Sequence, residues 1–147
     1  MPSSAGAFLL DTNIVSELRK GTRADVGVAE WFEELEDDQV FLSVLTIGEL
    51  RRGIEAIRPR DHRQARRLDL WLQELLSSFA DRILPIGLEI GDTWGRLNVP
   101  DPLPVVDGLL AATAHVHGLT LATRDTGPAQ ISGISYVDPF QGNSRRR

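Results

Sequence analysis

Short apolar runs alternate with stripes of helical period along this chain. Phe8-Leu9-Leu10 is expected to be a buried strand, and it ends at the polar triplet Asp11-Thr12-Asn13. A helix should follow through about Leu18 and stop at Gly21. Val28, Trp31, Phe32 and Leu35 fall at i, i+3, i+4 and i+7, which predicts a second helix over roughly Val26 to Leu35. Val40 to Leu42 reads as a strand, and Ser43 is placed to cap a helix from about Val44 to Ile57 that Pro59 ends. Ala65, Leu68, Leu72, Leu75, Leu76 and Phe79 mark the apolar face of a longer helix, Asp61 to Phe79, with Arg63, Arg66, Arg67, Asp69 and Glu74 largely off it. Arg82 to Ile86 predicts a third strand and Leu88 to about Leu97 another helix. After the loop Pro100-Asp101-Pro102-Leu103-Pro104, Pro104 suits the first turn of a helix reaching about Val116 and closing at Gly118. Leu119 to Ala122 and Ser135 to Val137 complete the strands.

Strands that alternate with helices predict right-handed βαβ units, hence an α/β fold with a central parallel sheet covered on both faces. At 147 residues the chain is expected to form one domain, residues 1–142, followed by a disordered basic tail, 143–147. There is no internal repeat and no linker between domains.

Cysteine is absent, which excludes disulfides, thiolate zinc sites and cysteine nucleophiles, and suits a reducing cytoplasm. No apolar run approaches a membrane span, and no basic stretch precedes the first strand as in a secretory signal, so a cytoplasmic protein is expected. His115 and His117 are two apart on one helix and do not share a face. Chemistry therefore falls to carboxylates. The net charge of −5 is unevenly spread: Glu30, Glu33, Glu34, Glu36, Asp37 and Asp38 crowd one stretch, while Arg51, Arg52, Arg58, Arg60, Arg63, Arg66 and Arg67 crowd another. A local basic patch can meet phosphate whatever the net charge; it can equally be a solvated helix face.

Four acids fall where loops meet strand ends or helices: Asp11, Glu49, Asp107 and Asp125. In an open parallel sheet the carboxyl ends of strands border the site-forming crevice, so residues distant in sequence can converge there. Acids that must stay ionised together need a cation, and hard oxygen ligands favour Mg²⁺ or Mn²⁺. Each also has an ordinary role. Asp11 can cap the helix it precedes, and Asp125 can begin the turn Asp-Thr-Gly-Pro. Glu49 points away from the stripe Ile47, Leu50, Ile54, Ile57 and can pair with Arg51 or Arg52. Gly48 and Gly53 beside it leave room for a close approach. Asp107 can answer a helix dipole. It also tops a stripe of small residues, Ala111, Ala114 and Gly118, on a helix whose core stripe should be Val106, Leu109, Leu110, Thr113 and Val116.

In these motifs the chain resembles the PIN-domain ribonucleases of the VapC type, toxins of bacterial toxin–antitoxin pairs. Leu9-Leu10-Asp11-Thr12-Asn13-Ile14-Val15-Ser16-Glu17 is similar to the family's opening. Ser43 through Gly53 resembles its second motif, Val105 through Ala114 its third, and Leu121-Ala122-Thr123-Arg124-Asp125 its last. One departure stands out. The family often reads Thr-Arg-Asn with Asp-Phe three positions on, whereas Asp125 takes the Asn position here and Pro128-Ala129 the place of Asp-Phe.

The resemblance implies a PIN-like three-layer αβα sandwich and metal-dependent endonucleolytic cleavage of RNA. Asp11, Glu49 and Asp107 would hold one or two Mg²⁺ or Mn²⁺ ions with Asp125 assisting, and a metal-activated water would attack in line to leave a 5′-phosphate and a 3′-hydroxyl. Thr12, Asn13 and Thr123 would support the cluster; Arg51, Arg52 and Arg124, by their closeness in sequence to these ligands, are expected to contact RNA phosphates. A homodimer and a VapB-like antitoxin whose C-terminal segment blocks the site are implied too. Trp31 and Phe32, or Trp71 and Leu72, are candidates for burial against a partner or in the core. Other phosphoryl chemistries fit poorly: receiver domains need a lysine near the last strands, and Lys20 is the only one. Haloacid-dehalogenase chemistry needs a second Asp where Asn13 stands. The altered last motif leaves one alternative, a catalytically impaired module that binds RNA or antitoxin without cutting.

Overall fold

The computed structural model describes residues 6–140; the expected tail and the boundary at 142 lie outside them. Its elements are β1 (Phe8–Leu10), α1 (Thr12–Leu18), α2 (Val26–Glu33), β2 (Val40–Ser43), α3 (Val44–Ile57), α4 (His62–Ser78), β3 (Ile83–Leu84), α5 (Leu88–Leu97), α6 (Val105–His117), β4 (Thr120–Ala122), α7 (Gly127–Ser132) and β5 (Tyr136–Val137). Two 3-10 turns, Gly21–Arg23 and Asp37–Gln39, flank α2. The strands lie in the order β3-β2-β1-β4-β5 and every neighbouring pair is parallel.

Strand side chains alternate between faces, and each short strand therefore feeds two cores. Leu10 and Ala122 join Ile14, Val28, Leu50, Ile54, Leu68 and Leu72 on the side of α1 to α4. Their neighbours Leu9 and Leu121 join Leu110, Ala111, Ala114 and Ala129 on the side of α6 and α7. The result is the expected three-layer sandwich, with α5 packed along α6.

Local chemistry sets the ends of these elements. The side chains of Asp25, Ser43 and Asp61 cap α2, α3 and α4 by accepting backbone N–H bonds. Gly118 takes the left-handed conformation, φ 66°, that closes α6. β3 is shorter than expected because Pro85 has no N–H to continue the ladder. α2 stops at Glu33, yet Leu35 still packs against the core because its N–H bonds back to the Phe32 carbonyl. The helix α7 was not expected, since Gly127-Pro128 reads as a turn. The burial distribution on α6 also differs. Gly108, Ala111, Ala112 and Ala114 are buried alongside Leu110 and Thr113, so Ala111 and Ala114 of the small-residue stripe are core, while Gly118 is exposed and Val106, Leu109 and Val116 of the expected core stripe are only half-buried.

Candidate metal centre

The sheet changes direction between β1 and β4: the chain builds outward through β2 and β3 on one side before crossing to β4 and β5 on the other. The carboxyl ends of β1 and β4 therefore border a switch-point crevice. Asp11 directly follows β1 and Asp125 lies just past β4. α3 departs from the end of β2 carrying Glu49, and α6 returns to the sheet so that its first turn, with Asp107, lies at the same edge. All four line one open cleft of about 410 Å³, together with Thr12, Asn13 and Arg52.

Asp11 is held at both carboxylate oxygens. Oδ1 accepts from the Thr12 N–H at 2.7 Å and Oδ2 from the Thr123 hydroxyl at 2.7 Å. It is therefore both helix cap and cleft residue. Thr123, fully buried, also accepts the Asp125 N–H at 3.1 Å and so joins the ends of two strands. The Thr12 hydroxyl donates to Glu49, the partner that replaces the Arg51 or Arg52 pairing considered for that glutamate. Asn13 Oδ1 accepts the Arg124 N–H at 3.2 Å and steadies the loop that carries Asp125. Asp125 is exposed, and its Oδ1 also accepts from the Gly127 N–H at 3.4 Å, as a turn-forming Asp would.

The electrostatics follow from this crowding. Burial pushes the Asp11 carboxyl above its ordinary range; the Thr123 and Thr12 hydrogen bonds oppose that, and the charges of Glu49 and Asp125 add to it. Asp107 is also raised, first by burial and then by Asp11, Asp125 and Glu49. Among the described residues Arg52 is the one basic residue lining the cleft. Among the described residues no three acidic or histidine side chains are already drawn into an ion cage. The donor set lining the cleft is of the kind Mg²⁺ accepts, since that ion keeps several waters and takes one or two carboxylates plus substrate phosphate.

The three arginines grouped by sequence separate in space. Arg52 lies three residues after Glu49 on the same face of α3. Arg51 instead bonds Asp69 at 2.8 Å and Glu55 at 3.2 Å, in a surface network with Arg58 that ties α3 to α4. Arg124 places its guanidinium 4.4 Å from the centroid of Phe140. Gly48 and Gly53 have open space about them, with Gly53 in a groove floor beside Thr12, Glu49 and Trp71. Trp31 and Leu72 belong to the core, whereas Phe32 and Trp71 line a second groove.

The PIN domain family matches residues 8–134. The chain belongs to the PIN-domain family. A VapC ribonuclease of Sinorhizobium fredii is 33% identical over 139 residues, covering 91% of this chain and 98% of that protein. The crystal structure of FitAcB from Neisseria gonorrhoeae aligns with a TM-score of 0.84 at 31% identity, over 90% of this chain and 98% of that one. A toxin–antitoxin complex from Klebsiella pneumoniae aligns at 0.65 with 28% identity, over 90% and 98%. Against this PIN-domain background the altered last motif has a structural meaning. Pro128 enters the first turn of α7 and Ala129 is fully buried against the α6 core. The acid nearest the cleft on this segment is thus Asp125.

Proposed function

We propose that this PIN-domain protein is a metal-dependent endoribonuclease, the toxin of a toxin–antitoxin pair, acting in the cytoplasm. The observation that carries the proposal is the convergence of Asp11, Glu49, Asp107 and Asp125 on one cleft at the switch point of the sheet. The ribonuclease and toxin–antitoxin names of similar proteins support it. Asp11, Glu49 and Asp107 would hold one or two Mg²⁺ or Mn²⁺ ions and Asp125 would assist. Such an ion supplies positive charge at the scissile phosphate and a nucleophile competent at neutral pH. Thr123 and Thr12 keep Asp11 and Glu49 aimed into the cleft, and Arg52 faces an incoming phosphate.

An antitoxin has a place to land. A groove of about 280 Å³ is lined by Leu10, Val15, Leu18, Phe32, Trp71 and Leu75, and a further groove that shares Trp71 with it and Thr12 and Glu49 with the cleft lies between the two. It would take an apolar segment of a VapB-like partner, with the acidic cleft open to a basic side chain of its C-terminal end. A homodimer is part of the same proposal.

The test is cleavage of labelled tRNA and rRNA. Cuts should appear with Mg²⁺ or Mn²⁺, stop in EDTA and return when metal is restored. RNA retained by the protein but uncut under both metals would favour the binding-module alternative. Cutting that persists in EDTA would remove the metal from the proposal. Salt dependence tests the arginines: Arg52→Ala should lower the slope of log K against log salt by about 0.7, one phosphate contact on a single strand. Arg51→Ala, its side chain held by Asp69, should leave the slope unchanged. Equal slopes for the two variants would dispose of this distinction.

A further inference from the structure

We infer that Trp94 of α5 and Asn98, which caps its C-terminal end, are positioning residues that set where the Asp107 carboxylate stands in the cleft, an inference that rests on the metal-site proposal above. Asp107 lies in the first turn of α6, and the next residue, Gly108, is buried. A Cβ at position 108 would come within 2.9 Å of Trp94 Nε1, 3.0 Å of Asn98 Nδ2 and 3.1 Å of Trp94 Cδ1. An indole edge and a carboxamide thus rest on the backbone of α6 one residue from the acid. Adjacent helical residues are about 100° apart around the axis. Gly108 facing α5 therefore turns Asp107 toward the cleft.

Asn98 is fixed in turn. Its Nδ2 donates to the Trp94 carbonyl at 2.8 Å, and its Oδ1 accepts from the Leu103 N–H at 2.7 Å. Leu103 is buried and directly precedes Pro104, the N-cap residue of α6. One side chain thus ties the end of α5 to the loop that delivers Asp107. The Trp94 Nε1–H is buried without an acceptor, so the indole serves here by shape and not by its hydrogen bond. The α5 clasp thus holds the first turns of α6, and with them Asp107, through contacts on the α5 side of the helix.

The inference separates from ordinary packing by measuring Mn²⁺ binding to the protein alone, with free Mn²⁺ read by electron paramagnetic resonance and folding checked by circular dichroism. Gly108→Ala, Trp94→Ala and Asn98→Ala should each weaken Mn²⁺ by about 10-fold or more, the scale on which outer partners of metal ligands act. Trp94→Phe keeps a planar ring without the unmet N–H and should bind Mn²⁺ within about two-fold of wild type. In RNA cleavage the weakened variants should lose kcat with little change in KM. Folded Gly108→Ala or Asn98→Ala protein with wild-type Mn²⁺ affinity would overturn the inference while leaving the metal site standing. Should truncation at Trp94 unfold the domain, Asn98→Ala and Gly108→Ala decide, because both leave the indole in place. A wild-type protein that binds no Mn²⁺ would sink the metal site and this inference with it.

Discussion

Asp11→Asn is expected to lower kcat/KM for RNA cleavage by about 10³-fold, equivalent to several kcal/mol of charge stabilisation at the phosphate. The amide can still accept from the Thr12 N–H through its oxygen. Its nitrogen, however, would replace the oxygen that accepts from the Thr123 hydroxyl. That hydroxyl already receives the Asp125 N–H, so the exchange disturbs the ends of β1 and β4 together. Thr123→Val leaves the carboxylate charged and removes only its anchor, so a smaller loss, about 10–100-fold, is expected. The ordering of the two variants is the informative part. Asp11→Asn within ten-fold of wild type would show that this carboxylate caps a helix and does no more. Thr123→Val as damaging as Asp11→Asn would show that orientation, and not charge, is the limiting contribution.

Both roles of Asp11 were visible in the sequence, because a polar triplet after an apolar strand marks a helix start and a strand end at once. The same holds for the set of four acids: their placement at loop junctions carried enough topology to foresee convergence. What escaped were features decided by tertiary contact. Gly127-Pro128 has the local chemistry of a turn, and α7 forms because Ala129 finds a buried place against α6. Arg51 and Arg52 are neighbours in sequence and lie on different faces of α3; only the position of Asp69 on α4 shows which of them is engaged elsewhere. The role of α5 was hidden for a related reason. Trp94 and Asn98 look like any helix-end residues until Gly108, on the next helix, is seen beneath them. Gly108 lies outside both stripes read along α6, so the pattern did not mark its contact with α5.

The charge crowding that suits the cleft to a cation should also be measurable as instability without one. Asp11 and Asp107 have raised values in the folded chain relative to the ordinary 3.8. Between the unfolded and folded values the folded protein binds more protons than the unfolded chain. Stability therefore falls as pH rises from about 3.8 through the raised values, and the deficit persists at neutral pH. Asp107→Asn removes one of the repelling charges, so in EDTA at pH 7 the variant should unfold at a higher temperature than wild type. Saturating Mn²⁺ should reverse the order. At 100 times its Kd a ligand stabilises by about 2.7 kcal/mol, which in a domain of this size raises Tm by about 5–10 °C. The variant, short of one ligand, should gain much less. Lowering the pH toward 4 should shrink the Mn²⁺-induced gain in wild type, since the same carboxylates must lose their protons to bind the ion. The measurement is a set of thermal melts of both proteins at one fixed concentration, with and without metal, at pH 7 and near pH 4. A variant less stable than wild type in EDTA would mean that Asp107 is held by a favourable partner, and the cleft would then not be a centre of unrelieved negative charge. Parallel gains for both proteins in Mn²⁺ would place the ion away from Asp107.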